Sequence, residues 1–187
     1  MTRLTLVRHG ETDWNAQGRY QGQSDVPLNA RGLAQTQALA QRLRGTGFDA
    51  IYSSDLARAV QTAEGLAAVT GAPLYLDRRL REIDQGEWEG LLLPEIEMRY
   101  TEAFRRRRLD PLGTCPPGGE SVGQVRERVL EVVREIRETF PDGDVMIVSH
   151  GLAIALIKVH LAALSVETVW DHIPPNASVE EFTVEGS

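Results

Sequence analysis

Two stretches of the sequence end an apolar run with a histidine and a glycine. The first is LTLVRHG at residues 4–10, where Arg8 precedes His9, and the second is VMIVSHG, where Gly151 follows His150. Such apolar runs predict buried β-strands. A single histidine at a strand exit is commonly bonded to a backbone carbonyl, but the repeated design favours two imidazoles that converge on one ligand. Glycine behind each imidazole permits a sharp turn and a close approach of the backbone to that ligand.

An arginine in the segment YSSDLARAVQTA, residues 52–63, points to the charge of the ligand. Ser54 or Asp55 is predicted to cap the helix that follows, which places Arg58 in its first turn, where the helix dipole disfavours a cation. A solvated surface arginine is the alternative. A bound anion would remove the conflict, and Arg8 and Arg58 could both donate to one phosphate.

A neutral imidazole beside a bound phosphate can attack phosphorus in line and form a phosphoenzyme that water then opens. The departing oxygen needs a proton, and a carboxylic acid is the usual donor. The segment LREIDQGEWEG at residues 80–90 offers Glu82, Asp84, Glu87 and Glu89. Spacing alone does not choose among these four carboxylates.

Strand patterns alternate with helix patterns along the chain. Strands are predicted at residues 4–7, 49–53, 74–76, 145–148 and 178–184. Helices are predicted at residues 28–43 with Asn29 as the N-cap, from residue 54 to the stop at Gly71, at 121–140 and at 152–164. This alternation implies an α/β fold of three layers, α/β/α, with a mostly parallel central sheet. Ligands of such sheets bind beyond the carboxyl ends of the strands, where both His-Gly pairs are predicted to lie.

The length of 187 residues and the hydrophobic content of 42% fit a single domain that spans residues 1–187. Residues 91–120 combine a polar helical pattern with a loop rich in Pro and Gly, and we expect them to form a small helical cap over the site, here called the cap segment. Its basic run comprises Arg105, Arg106, Arg107 and Arg108. A solvated helix face is favoured for this run over contact with a second acidic group of a substrate.

The formal net charge of −7 argues against nucleic acid or an anionic membrane as the main partner. No run is long and apolar enough for a membrane span, and no signal peptide is evident. A single cysteine, Cys115, fits a reducing compartment. We therefore expect a cytoplasmic protein with a small phosphorylated substrate as its partner, and a homodimer is left open.

Other phosphate chemistries fit the sequence poorly. A cysteine phosphatase needs an arginine in the loop after its cysteine, whereas Cys115 is followed by PPGGES. No glycine-rich loop that ends in Gly-Lys-Ser or Gly-Lys-Thr is present, and no closely spaced histidine pair indicates a metal site. We expect neither a metal nor a cofactor. The tryptophans Trp14, Trp88 and Trp170 could line a pocket, although core or interface packing is the ordinary role.

Six segments resemble the histidine phosphatase superfamily, also called the phosphoglycerate mutase-like family, and occur in the family's order. They are VRHGETDWN, GRYQGQSDVPLNARG, SSDLARAVQTA, LREIDQGEWEG, PPGGES and VSHG, and together they span nearly the whole chain. The resemblance implies that His9 is the phosphorylated nucleophile and that Glu82 is the proton donor. It also implies a set of phosphate and substrate contacts: Arg8, Asn15, Gln21, Gly22, Arg58, His150 and Gly151.

Within this family the chain resembles the compact broad-specificity phosphatases and the α-ribazole phosphatases. The resemblance implies a metal-independent phosphomonoesterase for small phosphorylated metabolites. A cofactor-dependent phosphoglycerate mutase is one alternative, and an inactive phosphoprotein-binding module is another. The intact set of Arg8, His9, Arg58, Glu82 and His150 argues against the binding module, because a binder needs neither a nucleophile nor an acid.

Overall fold

A computed structural model describes residues 1–184 and contains one central sheet. Its strands are β1 (Thr2–Arg8), β2 (Ala50–Ser53), β3 (Leu74–Leu76), β4 (Asp144–Ser149) and β5 (Val179–Val184). They lie in the order β3-β2-β4-β1-β5. The first four are parallel, whereas β5 runs antiparallel to β1 at one edge. The predicted, mostly parallel sheet is confirmed.

Helices cover both faces of the sheet. The α-helices are α1 (Asp13–Gln17), α2 (Ala30–Arg42), α3 (Ala57–Thr70), α4 (Leu93–Arg99), α5 (Thr101–Leu109), α6 (Val122–Thr139) and α7 (Gly151–Leu161). Three short 3₁₀ segments lie at Arg78–Leu80, Gly86–Trp88 and Val166–His172. Alternate side chains of the strands point to opposite faces, so Leu4 and Leu6 pack in one core with α6 and α7, and Val7 packs in a second core with α2 and α3. The predicted three-layer arrangement is confirmed.

Helix α6 shows how the sequence dictates these layers. Its buried residues recur at the spacing of one helical face, and they are Val122, Val125, Val129, Val132, Val133 and Ile136. The N-cap is Ser121, whose side chain accepts the N–H of Gln124, while the Gln124 side chain accepts the N–H of Ser121. Local capping and apolar periodicity therefore place this helix against β1 and β4.

Pairing between β1 and β4 places the two His-Gly pairs side by side. Val7 pairs with Val148, and Arg8 pairs with Ser149. The next residues along the two strands are His9 and His150, and the N–H of His9 donates to the carbonyl of Ser149 at 3.1 Å. The two histidines therefore leave neighbouring strands at the same level.

Two predicted helix boundaries are wrong. Helix α3 has Leu56 as its N-cap, in place of Ser54 or Asp55, because the backbone of Leu56 is still extended, with φ −74° and ψ 139°. The carboxylate of Asp25 takes over the missing cap and accepts the N–H of Ala57 at 2.7 Å. Helix α7 ends at Leu161 before the predicted residue 164, because Ala163 adopts a left-handed φ of 53°.

The cap segment forms α4 and α5, and its basic run is only partly solvated. Arg105, Arg106 and Arg108 are exposed as predicted, whereas Arg107 is 6% exposed. Its guanidinium carbon lies 5.8 Å from the ring centroid of Trp88 and 6.0 Å from that of Trp170. Four consecutive helical residues point in four directions, so one arginine of the run faces the protein.

Within residues 1–184, no helix is long and apolar enough to cross a lipid bilayer.

Candidate active site

A cavity of about 330 Å³ opens beyond the carboxyl ends of β1 and β4, and we call it the His9 cavity. It contains most of the residues that the sequence singles out. Those that line it are Arg8, His9, Asn15, Gln21, Gly22, Arg58, Glu82 and Gly151. The exception is His150, which is fully buried beside His9, with 5.0 Å between the two ring centroids.

The ring of His9 is held in one orientation and one tautomer. Its Nδ1 lies 2.6 Å from the carbonyl oxygen of Gly10. A carbonyl only accepts, so Nδ1 carries the hydrogen and Nε2 keeps its lone pair. Gly10 is fixed in turn, because its N–H donates to Thr62 Oγ1 at 3.1 Å and a Cβ at this position would lie 2.6 Å from the carbonyl oxygen of Gly32.

The electrostatic environment keeps His9 neutral. Burial lowers the pKa of His9 well below its usual 6.5, and the positive charges of Arg58 and Arg8 lower it further, against the opposing effect of the Gly10 carbonyl. At neutral pH the imidazole therefore has a free electron pair on Nε2. This is the state in which a histidine can act as a nucleophile.

Ser54 positions the second imidazole. The hydroxyl oxygen of Ser54 lies 2.8 Å from His150 Nε2 and accepts the N–H of Leu56 at 3.3 Å. When the hydroxyl donates its own hydrogen to Nε2, the ring proton of His150 lies on Nδ1. Within residues 1–184, His150 Nδ1 has no hydrogen-bond partner. Burial, with Arg58 as the next cause, lowers the pKa of His150 well below 6.5, so this ring is also neutral.

Arg58 is a fully buried cation, which excludes the alternative of a solvated surface arginine. Its two terminal nitrogens donate to backbone carbonyls, to Ser24 at 2.8 Å and to Gly22 at 2.7 Å. Burial lowers the pKa of Arg58 to about 10, partly offset by the negative charge of Glu82, so the group stays protonated at neutral pH. Arg58 thus brings a permanent positive charge to the His9 cavity.

Arg8, the last residue of β1, supplies a second positive charge. Its Nη1 donates to the carbonyl of Pro174 at 2.5 Å, and burial lowers its pKa while the charge of Glu82 opposes that effect. A Cβ on Gly151 would lie 3.4 Å from the guanidinium carbon of Arg8. The start of α7 therefore lies in contact range of this arginine, and the tightest neighbour of a Cβ at Gly151 would be Ile173 Cγ2 at 3.1 Å.

Among the four candidate carboxylates, Glu82 lines the His9 cavity and the other three do not. Its Oε2 accepts the N–H of Leu152 at 3.1 Å, and its Oε1 accepts the N–H of Ile83 at 3.0 Å. Asp84 accepts a loop N–H at 2.8 Å, Glu89 accepts the N–H of Gln23 at 2.7 Å, and Glu87 is exposed. Geometry thus favours the same carboxylate as the family resemblance.

The amide side chains at the edge of the cavity are joined through Thr12. Asn15 Oδ1 accepts the N–H of Thr12 at 3.2 Å, and Gln21 Oε1 accepts the hydroxyl of Thr12 at 2.8 Å. Asn176 donates to Asn15 Oδ1 at 3.2 Å and to the carbonyl of His9 at 3.1 Å. The loop before β5 is therefore connected to the end of β1.

Sequence reasoning missed several of these contributors. The sequence indicates only a possible helix cap for Ser54, and Thr62 is one polar residue within a helical pattern. Asn176 lies in no recognised motif. For Trp170 the sequence offers pocket lining beside the ordinary core or interface packing, and this residue is 46% exposed and lines the His9 cavity. The pair of serines before a helix is a local sequence signal for a polar role of Ser54. The positions of Thr62, Asn176 and Trp170 depend on long-range packing.

Comparisons of the sequence with known proteins agree on one family. The profile of the histidine phosphatase superfamily (branch 1) matches residues 4–187. Phosphoserine phosphatase 1 of Hydrogenobacter thermophilus is 36% identical over 185 residues, which cover 99% of this chain and 88% of that protein. The probable phosphoglycerate mutase GpmB of Salmonella paratyphi B is 39% identical over 160 residues, which cover 84% of this chain and 73% of that protein.

A solved structure agrees with the sequence matches. The structure of mycobacterial glucosyl-3-phosphoglycerate phosphatase with VO3 is 34% identical and has a TM-score of 0.84, covering 96% of this chain and 90% of that one. The chain belongs to the histidine phosphatase superfamily, as its motifs predict. With this family and these phosphatases among its relatives, it is a phosphoric monoester hydrolase.

Proposed function

We propose that the protein hydrolyses small phosphomonoesters through a phosphohistidine on His9, without a metal ion. The observation that carries this proposal is the neutral His9 ring, whose Nδ1 is bonded to Gly10 and whose Nε2 is free in a cavity that contains Arg8 and Arg58. Two arginines supply the positive charge that a metal would otherwise bring to the transferring phosphoryl group.

The phosphoryl group is bound by donors around the His9 cavity. Arg8 and Arg58 face its negative charge, and Nδ1 of His150 supplies a neutral hydrogen-bond donor. The remaining contacts proposed are Asn15, Gln21, Gly22 and the backbone N–H of Gly151. Hydrogen bonds to a charged group each contribute roughly 1.5–3 kcal/mol, so this set favours a phosphate dianion over a neutral ligand.

Hydrolysis then takes two displacements at phosphorus. For the first displacement Glu82 must enter as a carboxylic acid. His9 Nε2 forms a bond to phosphorus while the bond to the alcohol oxygen breaks, and Glu82 gives its proton to that oxygen. In the second step water attacks the phosphohistidine, the P–N bond breaks, and the Glu82 carboxylate takes the proton of the water. Inorganic phosphate leaves, and His9 and Glu82 return to their starting protonation states.

The substrate class follows from the relatives. Their names specify phosphoserine and glucosyl-3-phosphoglycerate, and we propose a small phosphorylated metabolite of the cytoplasm for this chain. The match to a probable phosphoglycerate mutase keeps phosphoryl transfer to a second hydroxyl as the competing activity. Product analysis with 3-phosphoglycerate separates the two, because a mutase gives an isomer and a phosphatase gives inorganic phosphate.

The proposal is tested by quenching the enzyme during turnover in the presence of EDTA. We expect an acid-labile, base-stable phosphoryl label on His9, and His9→Ala should lose both the label and the turnover. A label on a serine or on Cys115, or turnover that needs added metal, would overturn the mechanism. Binding of phosphate esters with no turnover in the native chain would favour the inactive binding module.

A further inference from the structure

Glu82 lies in an irregular stretch between two short 3₁₀ segments, Arg78–Leu80 and Gly86–Trp88. Ser149 of β4 holds the start of this stretch, because its hydroxyl donates to the carbonyl of Leu80 at 2.7 Å. Backbone carbonyls that no helix or sheet ladder satisfies need such donors when water does not reach them. The position of Glu82 beside the His9 cavity therefore depends on groups from other parts of the chain.

Arg128 supplies most of these donors. Its Nη1 donates to the carbonyl of Arg79 at 2.7 Å and to that of Arg81 at 2.6 Å. Its Nη2 donates to the carbonyl of Glu82 at 2.9 Å, and the Arg128 side chain is only 16% exposed. One guanidinium thus holds three of the four carbonyls in residues 79–82, including that of the proposed proton donor.

Glu120 uses the remaining N–H groups of Arg128 and holds the stretch from its other end. Its Oε1 accepts Arg128 Nε at 3.0 Å, and its Oε2 accepts Arg128 Nη2 at 2.8 Å. The same Oε2 accepts the N–H of Asp84 at 2.9 Å, and the N–H of Glu120 donates to the carbonyl of Asp84 at 2.9 Å. The backbone is therefore fixed both at Glu82 and two residues beyond it.

The segment PPGGES, residues 116–121, contributes no group to the proposed reaction but supplies Glu120. A Cβ on Gly119 would lie 2.4 Å from the carbonyl oxygen of Asp84. Glycine therefore permits the close approach of this loop to the stretch that carries the acid. The approach brings the carboxylate of Glu120 within reach of both Asp84 and Arg128.

Arg128 projects from a firmly packed helix. It belongs to α6, where Val125 and Val129 are fully buried in the core shared with β1 and β4. Ile83, the residue after Glu82, is 1% exposed and packs in the same core. Helix α6 thus supports the stretch through the apolar side chain of Ile83 and through the carbonyl of Glu82, while the Glu82 carboxyl group faces the His9 cavity.

We propose that Arg128 is a positioning residue for proton donation, which holds the backbone at Glu82 so that the carboxyl group reaches the oxygen that leaves phosphorus. This inference rests on the proposed function, in which Glu82 is the acid. Within residues 1–184, Arg128 is not among the side chains that line the His9 cavity, so it acts through Glu82 and not on the substrate.

The test compares kcat/KM for an alkyl phosphate with kcat/KM for nitrophenyl phosphate, because the alkoxide needs a proton to leave and the nitrophenolate does not. In Arg128→Met the ratio of the first constant to the second should fall by roughly tenfold to a hundredfold, since a misplacement of about 1 Å costs up to about 10² in rate. Arg128→Lys keeps the charge without the fork and should show a smaller fall. The matched control is Arg126→Met, which removes an exposed arginine of the same helix and should keep the native ratio.

A double-mutant cycle assigns the effect to Glu82. The proton is already lost in Glu82→Gln, so the addition of Arg128→Met should lower the ratio no further. Independent effects would multiply instead. Each ratio is internal to one variant, so a loss of stability that reduces the amount of folded enzyme does not affect it.

Equal losses on both esters in Arg128→Met would overturn the inference and leave the proposed function intact. The same holds for a full additional fall in the double variant. If Arg128→Met does not fold, a native ratio in Arg128→Lys would overturn the inference. If Glu82→Gln leaves the ratio unchanged, the acid role of Glu82 fails and the role of Arg128 fails with it, and a native chain that releases phosphate from neither ester would refute the proposed function itself.

Discussion

Replacement of Glu82 by glutamine should separate proton donation from positioning, because both carboxylate oxygens have known contacts. Oε2 accepts the N–H of Leu152 at 3.1 Å, and Oε1 accepts the N–H of Ile83 at 3.0 Å. A carboxamide has one oxygen, so it can accept one of these groups and turns a donor toward the other. A buried N–H without an acceptor costs about 1–3 kcal/mol of folding free energy. Any displacement of the side chain that results from it should slow both kinds of substrate alike.

Loss of the proton adds a second effect that depends on the leaving group. An alkoxide needs the proton, and general acid catalysis contributes roughly 10²–10⁴ to the rate. A nitrophenolate leaves without much help and should be affected only by the loss of positioning. The ratio of kcat/KM for an alkyl phosphate to kcat/KM for nitrophenyl phosphate should therefore fall by roughly 10²–10⁴ in Glu82→Gln.

The assay measures kcat/KM for both esters, since this constant reports the steps up to phosphoenzyme formation. Asp84→Asn is the matched control, because Asp84 lies in the same loop, accepts the N–H of Gly86 at 2.8 Å and does not line the His9 cavity. Equal losses on both esters in Glu82→Gln would show that Glu82 only positions other groups. A loss at Asp84 that depends on the leaving group would transfer the acid role there.

Two further predictions concern the buried imidazoles. His9 and His150 are neutral in the folded protein, where their pKa values lie well below the usual 6.5 that they have in the unfolded chain. Below pH 6.5 the unfolded chain therefore binds more protons than the folded protein, and the free energy of unfolding decreases as the pH is lowered. Between pH 7 and pH 5.5 each histidine should reduce the free energy of unfolding by about 1 kcal/mol. Chemical denaturation of His150→Asn should show about half of the pair's effect. A decrease that is unchanged in this variant would assign the effect to other groups. Ser54→Ala should lower the free energy of unfolding by about 1–3 kcal/mol and reduce kcat/KM, because His150 loses the bond that fixes its tautomer. Ser53→Ala is its control, since that hydroxyl donates to the Ser54 carbonyl at 2.9 Å, and an equal loss of activity in both variants would refute the tautomer argument.

The sheet was predictable because its information is local and repeated. Short apolar runs predict the strands. The large sequence separation of β1 and β4 does not affect the prediction of the site, since parallel strands place their carboxyl ends at one edge of the sheet. Pairing of β1 with β4 could not be predicted from either strand alone, because β4 lies between β1 and β2 in the sheet and shares a core with α6 and α7 from distant parts of the chain. The antiparallel direction of β5 likewise depends on the loop that precedes it.

The residues of the site differed in how predictable they were. Arg58 was found through a conflict between its charge and the helix dipole, and the structure shows it fully buried. The charge pattern gave the wrong environment for Arg107, because a run of four arginines does not show which one faces the tryptophans. Asn176 carries no local signal, since its contacts to His9 and Asn15 depend on how the loop before β5 folds back over β1.

Burial couples the stability of this site to its chemistry. The same low-polarity surroundings that keep His9 a free base also make Arg58 and Arg8 costly to bury. Backbone carbonyls offset part of this cost, and they come from the loop at Gly22 and Ser24 and from Pro174. Each of these carbonyls accepts a hydrogen bond from one arginine nitrogen, and each lies outside β1 and β4, the strands that precede the histidines. The arginines consequently fix the position of two loops around the His9 cavity, and a phosphate that binds there meets donors that folding has already oriented.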